Sequence, residues 1–190
     1  MPSPPQPLSE NSPDPAAGRV GGLLVMGLLL LGLTAASVAV AFQRGQTEQC
    51  LAFYGPDAAS AVARAGHVEL WRLADVNGRL TARSRQDISQ AKGLVHLRRG
   101  LVEDANFDWE VAAQAVAPLP VASWDWAIVF ADSPEAAARG EATRLLVDLG
   151  ETAAEAGSAG WVTVVGQGGR VGLGRIGPGL ADWIQDTTTP

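Results

Sequence analysis

The chain has 190 residues, a formal net charge of −6 and 18% charged side chains, against about a quarter in ordinary soluble domains. Its single cysteine excludes an intrachain disulfide and any all-cysteine zinc or iron–sulfur centre. The acidic balance argues against a nucleic-acid partner held by phosphate neutralisation, and the length suggests about one domain.

Residues 1–19 hold prolines at Pro2, Pro4, Pro5 and Pro7 and show no apolar periodicity. Such a tail cannot bury enough surface to offset its ordering entropy, so it reads as disordered. Residues 20–42 then run without a charge between Arg19 and Arg44. A helix of that length spans roughly 34 Å, enough for a hydrocarbon core of about 30 Å. Leu23, Leu24, Leu28, Leu29, Leu30 and Leu31 make it strongly apolar.

Two readings of this tract compete. Ala39-Val40-Ala41 resembles a signal-peptide cleavage site, but the apolar stretch is longer than a usual signal core. A transmembrane anchor is therefore the favoured reading, with the bilayer as its first partner. Basic residues near its two ends are nearly balanced, so the positive-inside rule decides little. The expected topology is a single pass through a bacterial inner membrane, with the C-terminal domain outside the cytoplasm. Gly32 with Ala36, and Ala35 with Ala39, form small-xxx-small pairs that would let two such helices approach as a homodimer.

Residues 43–190 read as one compact, mainly antiparallel α+β domain. Gly55-Pro56-Asp57 can open a helix that runs to Arg64 and stops at Gly66. Val68 to Ala74 and Leu80 to Ser84 flank Asn77-Gly78, a strong hairpin turn. Leu94, Leu97 and Leu101 give helical spacing within Ser89 to Val102. Ala117 to Val121 is a proline-bearing loop. Ser123 to Ala131 alternates strictly, which places Trp124, Trp126, Ile128 and Phe130 on one buried face. Further strands are expected at Arg144–Leu149, Trp161–Val165 and Arg170–Leu173, the last two joined by a glycine loop. Gly179 to Gln185 suits a closing helix.

The charge is segregated: residues 64–99 carry net +5 and residues 103–190 net −9. These segments either face each other in the fold or leave Arg79, Arg83, Arg85, Arg98 and Arg99 as a basic patch for anionic lipid or an acidic partner. The first is favoured.

Chemical motifs are weak. Gly172-Leu173-Gly174-Arg175-Ile176-Gly177 matches GxGxxG, yet too little chain follows for the second strand of a dinucleotide fold. No cofactor is expected. His67 lies two residues from Glu69 on one strand face, and His96 stands alone; neither suffices for a metal site. No nucleophile elbow is present. Cys50 reads as a small buried hydrophobe, with acylation or an interchain disulfide as alternatives. Residues 103–110 pack four carboxylates around Phe107 and Trp109; the favoured reading is a solvated helix end that the two aromatics pin to the core, with a docking epitope and acid–base catalysis as the alternatives.

The favoured function is a non-enzymatic interaction module, an accessory subunit or assembly factor of a membrane protein complex. Its docking residues would be Phe107, Asp108, Trp109, Arg98 and Arg99, and its partners other membrane proteins. No catalytic residue is assigned. The alternative is a membrane-tethered hydrolase that uses the 103–110 carboxylates.

Overall fold

The computed structural model describes residues 26, 28–38, 45–110, 123–150 and 159–189. The chain divides into two units, residues 1–44 and residues 45–190.

In the first unit, residues 28–38 form a helix whose side chains are all exposed. Thr34 and Ser37 turn their hydroxyls back onto helix carbonyls, Thr34 on Leu30 and Leu31 and Ser37 on Leu33. No helix among the described residues is long and apolar enough to cross a membrane. The anchor expected over 20–42 is described only at these positions. Leu23, Leu24, Ala39 and the tail 1–19 lie outside the described residues.

The second unit is the expected single antiparallel α+β domain. Its elements are α1 (Glu48–Arg64), β1 (His67–Val76), β2 (Arg79–Asp87), α2 (Leu94–Gly100), a 3-10 turn (Asp104–Asn106), β3 (Trp126–Ala131), α3 (Pro134–Arg139), β4 (Thr143–Asp148), β5 (Trp161–Val164), β6 (Val171–Gly172) and α4 (Ile176–Thr188). One six-stranded sheet runs β2-β1-β3-β4-β5-β6, every pair antiparallel.

Period-two alternation sorts the strand residues onto two faces. Val68 and Leu70, Ile128 and Phe130, Leu145 and Val147, and Val162 and Val164 pack with Tyr54, Val62, Leu97, Leu180 and Ile184 of the helices. On the opposite face Leu73, Ala127, Val129 and Trp161 form a second, smaller cluster. The β1–β2 turn carries Asn77 at φ 55° and Gly78 at φ 76°, the left-handed pair that a two-residue hairpin requires. The pairing shifts by one residue between Arg72 and Leu73, which leaves Arg83 as an extra residue on β2.

Several expectations needed correction. The first helix starts at Glu48, seven residues before Gly55. Gly55 (φ 73°, ψ 160°) breaks it into two stretches, and Pro56 opens the second. The helix expected over Ser89–Val102 is confined to Leu94–Gly100, because Gly93 sits at φ 88°. Trp124 does not share a face with Trp126: the chain before Trp126 is not regular strand, and Trp124 packs with Ala127 and Val129. Helix α3 was not anticipated. Ser133 caps it by accepting from the Ala136 amide at 3.2 Å, Pro134 opens it and Gly140 closes it at φ 82°. The loop expected over Ala117–Val121 lies outside the described residues.

Candidate functional site

The 103–110 segment folds against the start of α1. The N-cap residue Thr47 makes no side-chain cap bond. Asp104 supplies the cap from elsewhere in the chain: its Oδ2 accepts from the Gln49 amide at 2.9 Å and its Oδ1 from the Cys50 amide at 2.7 Å. These are two of the donors that a helix start leaves without partners. The Asp104 amide in turn donates to the Gln46 carbonyl at 2.8 Å, and Trp109 Nε1 donates to the Asp104 carbonyl at 2.9 Å.

Phe107 is buried, Trp109 half-buried, and their ring centroids lie 5.6 Å apart. Phe53 and Tyr54 complete a four-ring cluster, in edge-on contact with Trp109 and Phe107 respectively. Asp108 forms an isolated bridge to Gly172, which ties the segment to β6.

The two arginines of the expected docking set differ. Arg98 Nη2 donates to the Ala65 carbonyl at 2.6 Å, at the C-terminal end of α1. Arg99 is exposed and pairs with Glu103 at 2.6 Å. Among the described residues, that is the one ion pair joining the basic 64–99 segment to the acidic 103–190 segment. Arg79, Arg83 and Arg85 lie exposed along β2. Arg85 stacks over Trp71 with its guanidinium carbon 4.1 Å from the ring centroid, and Arg72 covers Trp126.

A second polar cluster lies at the start of β1. The pairing of His67 with Glu69 suggested by the sequence is present, Nε2 to Oε1 at 2.9 Å. Two partners were not foreseen: Ser89 Oγ lies 3.2 Å from His67 Nδ1, and Asp87 Oδ1 lies 3.7 Å from it. Serine, imidazole and carboxylate in this order resemble a nucleophilic triad, and proton accounting decides what they do. Ser89 Oγ is 2.6 Å from Asp87 Oδ1, so the Ser89 proton lies between them. The Val68 amide donates to the same Oγ at 2.9 Å. His67 Nδ1 faces the same oxygen and Glu69 Oε1 faces Nε2, so both ring nitrogens are held by polar partners.

A base-activated serine points its proton at the imidazole; Ser89 points it away, at Asp87. The cluster therefore fastens β1 to the 87–89 turn. Burial pushes the Glu69 carboxyl up. Hydrogen bonds from His67 and Trp71, and the charges of His67 and Arg85, outweigh it and hold Glu69 below its ordinary range. The Ser89 hydroxyl and amide likewise lower Asp87.

Cys50 is 1% exposed. Burial pushes its thiol well up, and the hydrogen bond and charge of Asp104 push it further, so it is inert in the native state. Two glycines of the GxGxxG pattern have packing reasons: a Cβ on Gly174 would meet the Phe107 backbone at 3.1 Å, and one on Gly177 the Ala159 carbonyl oxygen at 2.8 Å. Among the described residues no group of three or more His, Cys, Asp or Glu is placed to hold a metal. No known family, curated protein or solved structure matches the chain.

Proposed function

We propose that the chain is a single-pass membrane-anchored interaction module, an accessory subunit or assembly factor of a membrane protein complex in a bacterial inner membrane, with its α+β domain outside the cytoplasm. The observation that carries this reading is the helix at 28–38. Leucine, valine and small residues cover it on every side, and every side chain is exposed. A helix apolar all round is stable where lipid or protein surrounds it.

The 103–110 segment supports a docking role over a catalytic one. Asp104 is engaged with helix amides and Glu103 with Arg99. Phe107 and Trp109 brace the segment against α1, the first helix after the apolar tract. Arg99 and Glu110 remain exposed beside it, a charged rim next to aromatics that suits a protein interface.

The test is mild detergent extraction from native membranes, native-gel sizing and mass spectrometry of the band. A discrete complex with reproducible partners is expected, weakened by the paired charge reversal Arg99→Glu and Glu110→Lys. A lone chain in the extract would overturn the reading.

A further inference from the structure

The end of β2, the 88–92 turn and α4 enclose an open groove of about 530 Å³, within the roughly 300–1,000 Å³ typical of small-molecule sites. Buried Ile88 and the half-buried ring of Trp183 give it an apolar floor, and Asp87, Gln90, Lys92 and Asp186 give it a polar rim.

The walls are fixed by hydrogen bonds between distant parts of the chain. Trp183 Nε1 donates to the Lys92 carbonyl at 2.9 Å, and Gln86 Nε2 donates to the Thr187 carbonyl at 3.0 Å. A Cβ on Gly93 would sit 3.1 Å from Trp183 Nε1, so the backbone packs directly on the indole. These bonds leave the Lys92 ammonium, the Gln90 amide and the Asp186 carboxylate without a hydrogen-bond partner among the described residues. Asp87 uses only Oδ1 on Ser89. The groove thus has an aromatic wall tied to the Lys92 carbonyl, and Gln90, Lys92 and Asp186 of its rim are unengaged.

The rim's composition selects the ligand class. A compact anion would meet Asp87 and Asp186, and a compact cation would meet Lys92. A neutral polyol uses all of them, because its hydroxyls both donate and accept. A sugar ring adds an apolar C–H face for the indole. We propose that this groove binds a neutral oligosaccharide, with one ring stacked on Trp183 and its hydroxyls shared among Gln90, Lys92, Asp87 and Asp186. The proposal is independent of the membrane reading.

The test uses the full chain in detergent micelles with maltotetraose, cellotetraose and chitotetraose as probes and spermidine as the cationic control. Saturation-transfer NMR and calorimetry follow each titration to about 10 mM, which still captures a millimolar Kd. At least one tetrasaccharide is expected to bind saturably and to displace no spermidine. The double variant Gln90→Ala, Asp186→Ala removes only exposed side chains. It is expected to unfold at the parent temperature and to bind about tenfold more weakly, the effect of losing roughly one charged hydrogen bond. Three silent tetrasaccharides, affinity unchanged in the double variant, or tighter binding of spermidine at the same groove would each overturn the proposal.

Discussion

Replacing Asp104 by Ala tests the long-range cap of α1 directly. The substitution leaves the Gln49 and Cys50 amides without their acceptor. Losing an N-cap acceptor costs about 1 kcal/mol, and removing a carboxylate from a helix N-terminus costs roughly 0.3–1 kcal/mol more. The Cys50 amide is part-buried, so its lost partner adds about 1 kcal/mol or more. The expected destabilisation is therefore roughly 2–4 kcal/mol, and at about 2–4 °C per kcal/mol it lowers Tm by roughly 4–16 °C. Asp104→Asn keeps one acceptor oxygen and should fall between parent and Ala variant. The assay is thermal and urea unfolding of the full chain in detergent, followed by far-UV circular dichroism. An Ala variant within about 0.5 kcal/mol of the parent, a typical surface substitution, would refute the capping argument. A cellular defect with unchanged stability would instead return Asp104 to the list of functional carboxylates.

Four further outcomes follow from the same geometry. Native Cys50 should resist maleimide at pH 8 and react only as the chain opens, since burial and Asp104 raise its thiol; Asp104→Ala should speed the reaction in a stopped alkylation time course. Gln167 donates to the Tyr54 carbonyl, which the Gly55 kink exposes; Gln167→Ala should cost about 1 kcal/mol in urea unfolding, and Gly55→Ala should cost more because φ 73° disfavours a side chain. Ser89→Ala should destabilise the domain by roughly 1–3 kcal/mol through the Val68 amide and the Asp87 carboxylate, and exchange at the Val68 amide should accelerate. Burial, then repulsion from Asp125, raises the Asp148 carboxyl above its ordinary 3.8. A raised acid favours the fold when protonated, so that contribution disappears as pH rises through the folded value; urea titrations should show the parent gaining on Asp148→Asn as pH falls from neutrality towards 4.

The sheet was legible where its signals are local. Asn77-Gly78 places two positive-φ residues in sequence, and only a hairpin of this kind uses them. The β3 alternation fixes which residues face the helices because a strand has no freedom to turn them. Helix α3 was equally local, with its Ser-Pro-Glu start and its Gly140 stop, yet at six residues it offers too little apolar period to draw attention. The limits of α1 were obscured by Gly55-Pro56, which reads as a start because it is one. The helical turns before it depend on Asp104, whose partners lie 54 and 55 residues away. No local rule could assign that cap, since Thr47 occupies the N-cap position and offers its own hydroxyl as a candidate.

The same distance effect governs the candidate sites. His67 and Glu69 were legible as a pair because residues two apart on a strand share a face. Ser89 and Asp87, which decide what that histidine does, reach it only through the antiparallel return of β2, where Glu69 pairs with Asp87. The carboxylates of residues 103–110 looked like one cluster in the sequence, and folding separates their tasks: Asp104 caps a helix and Glu103 neutralises Arg99. A domain without a disulfide must hold its elements by packing and by such crosslinks. Polar residues that look chemically idle in sequence are the natural donors and acceptors for them. Side chains left over after those bonds are counted are therefore better guides to binding than density of charge. At the groove beside Trp183, Gln90, Lys92 and Asp186 are left over. Near Asp104 the segment densest in carboxylates retains few. That contrast puts the unengaged polar side chains on α4 and the 88–92 turn, a stretch whose sequence carries no binding motif.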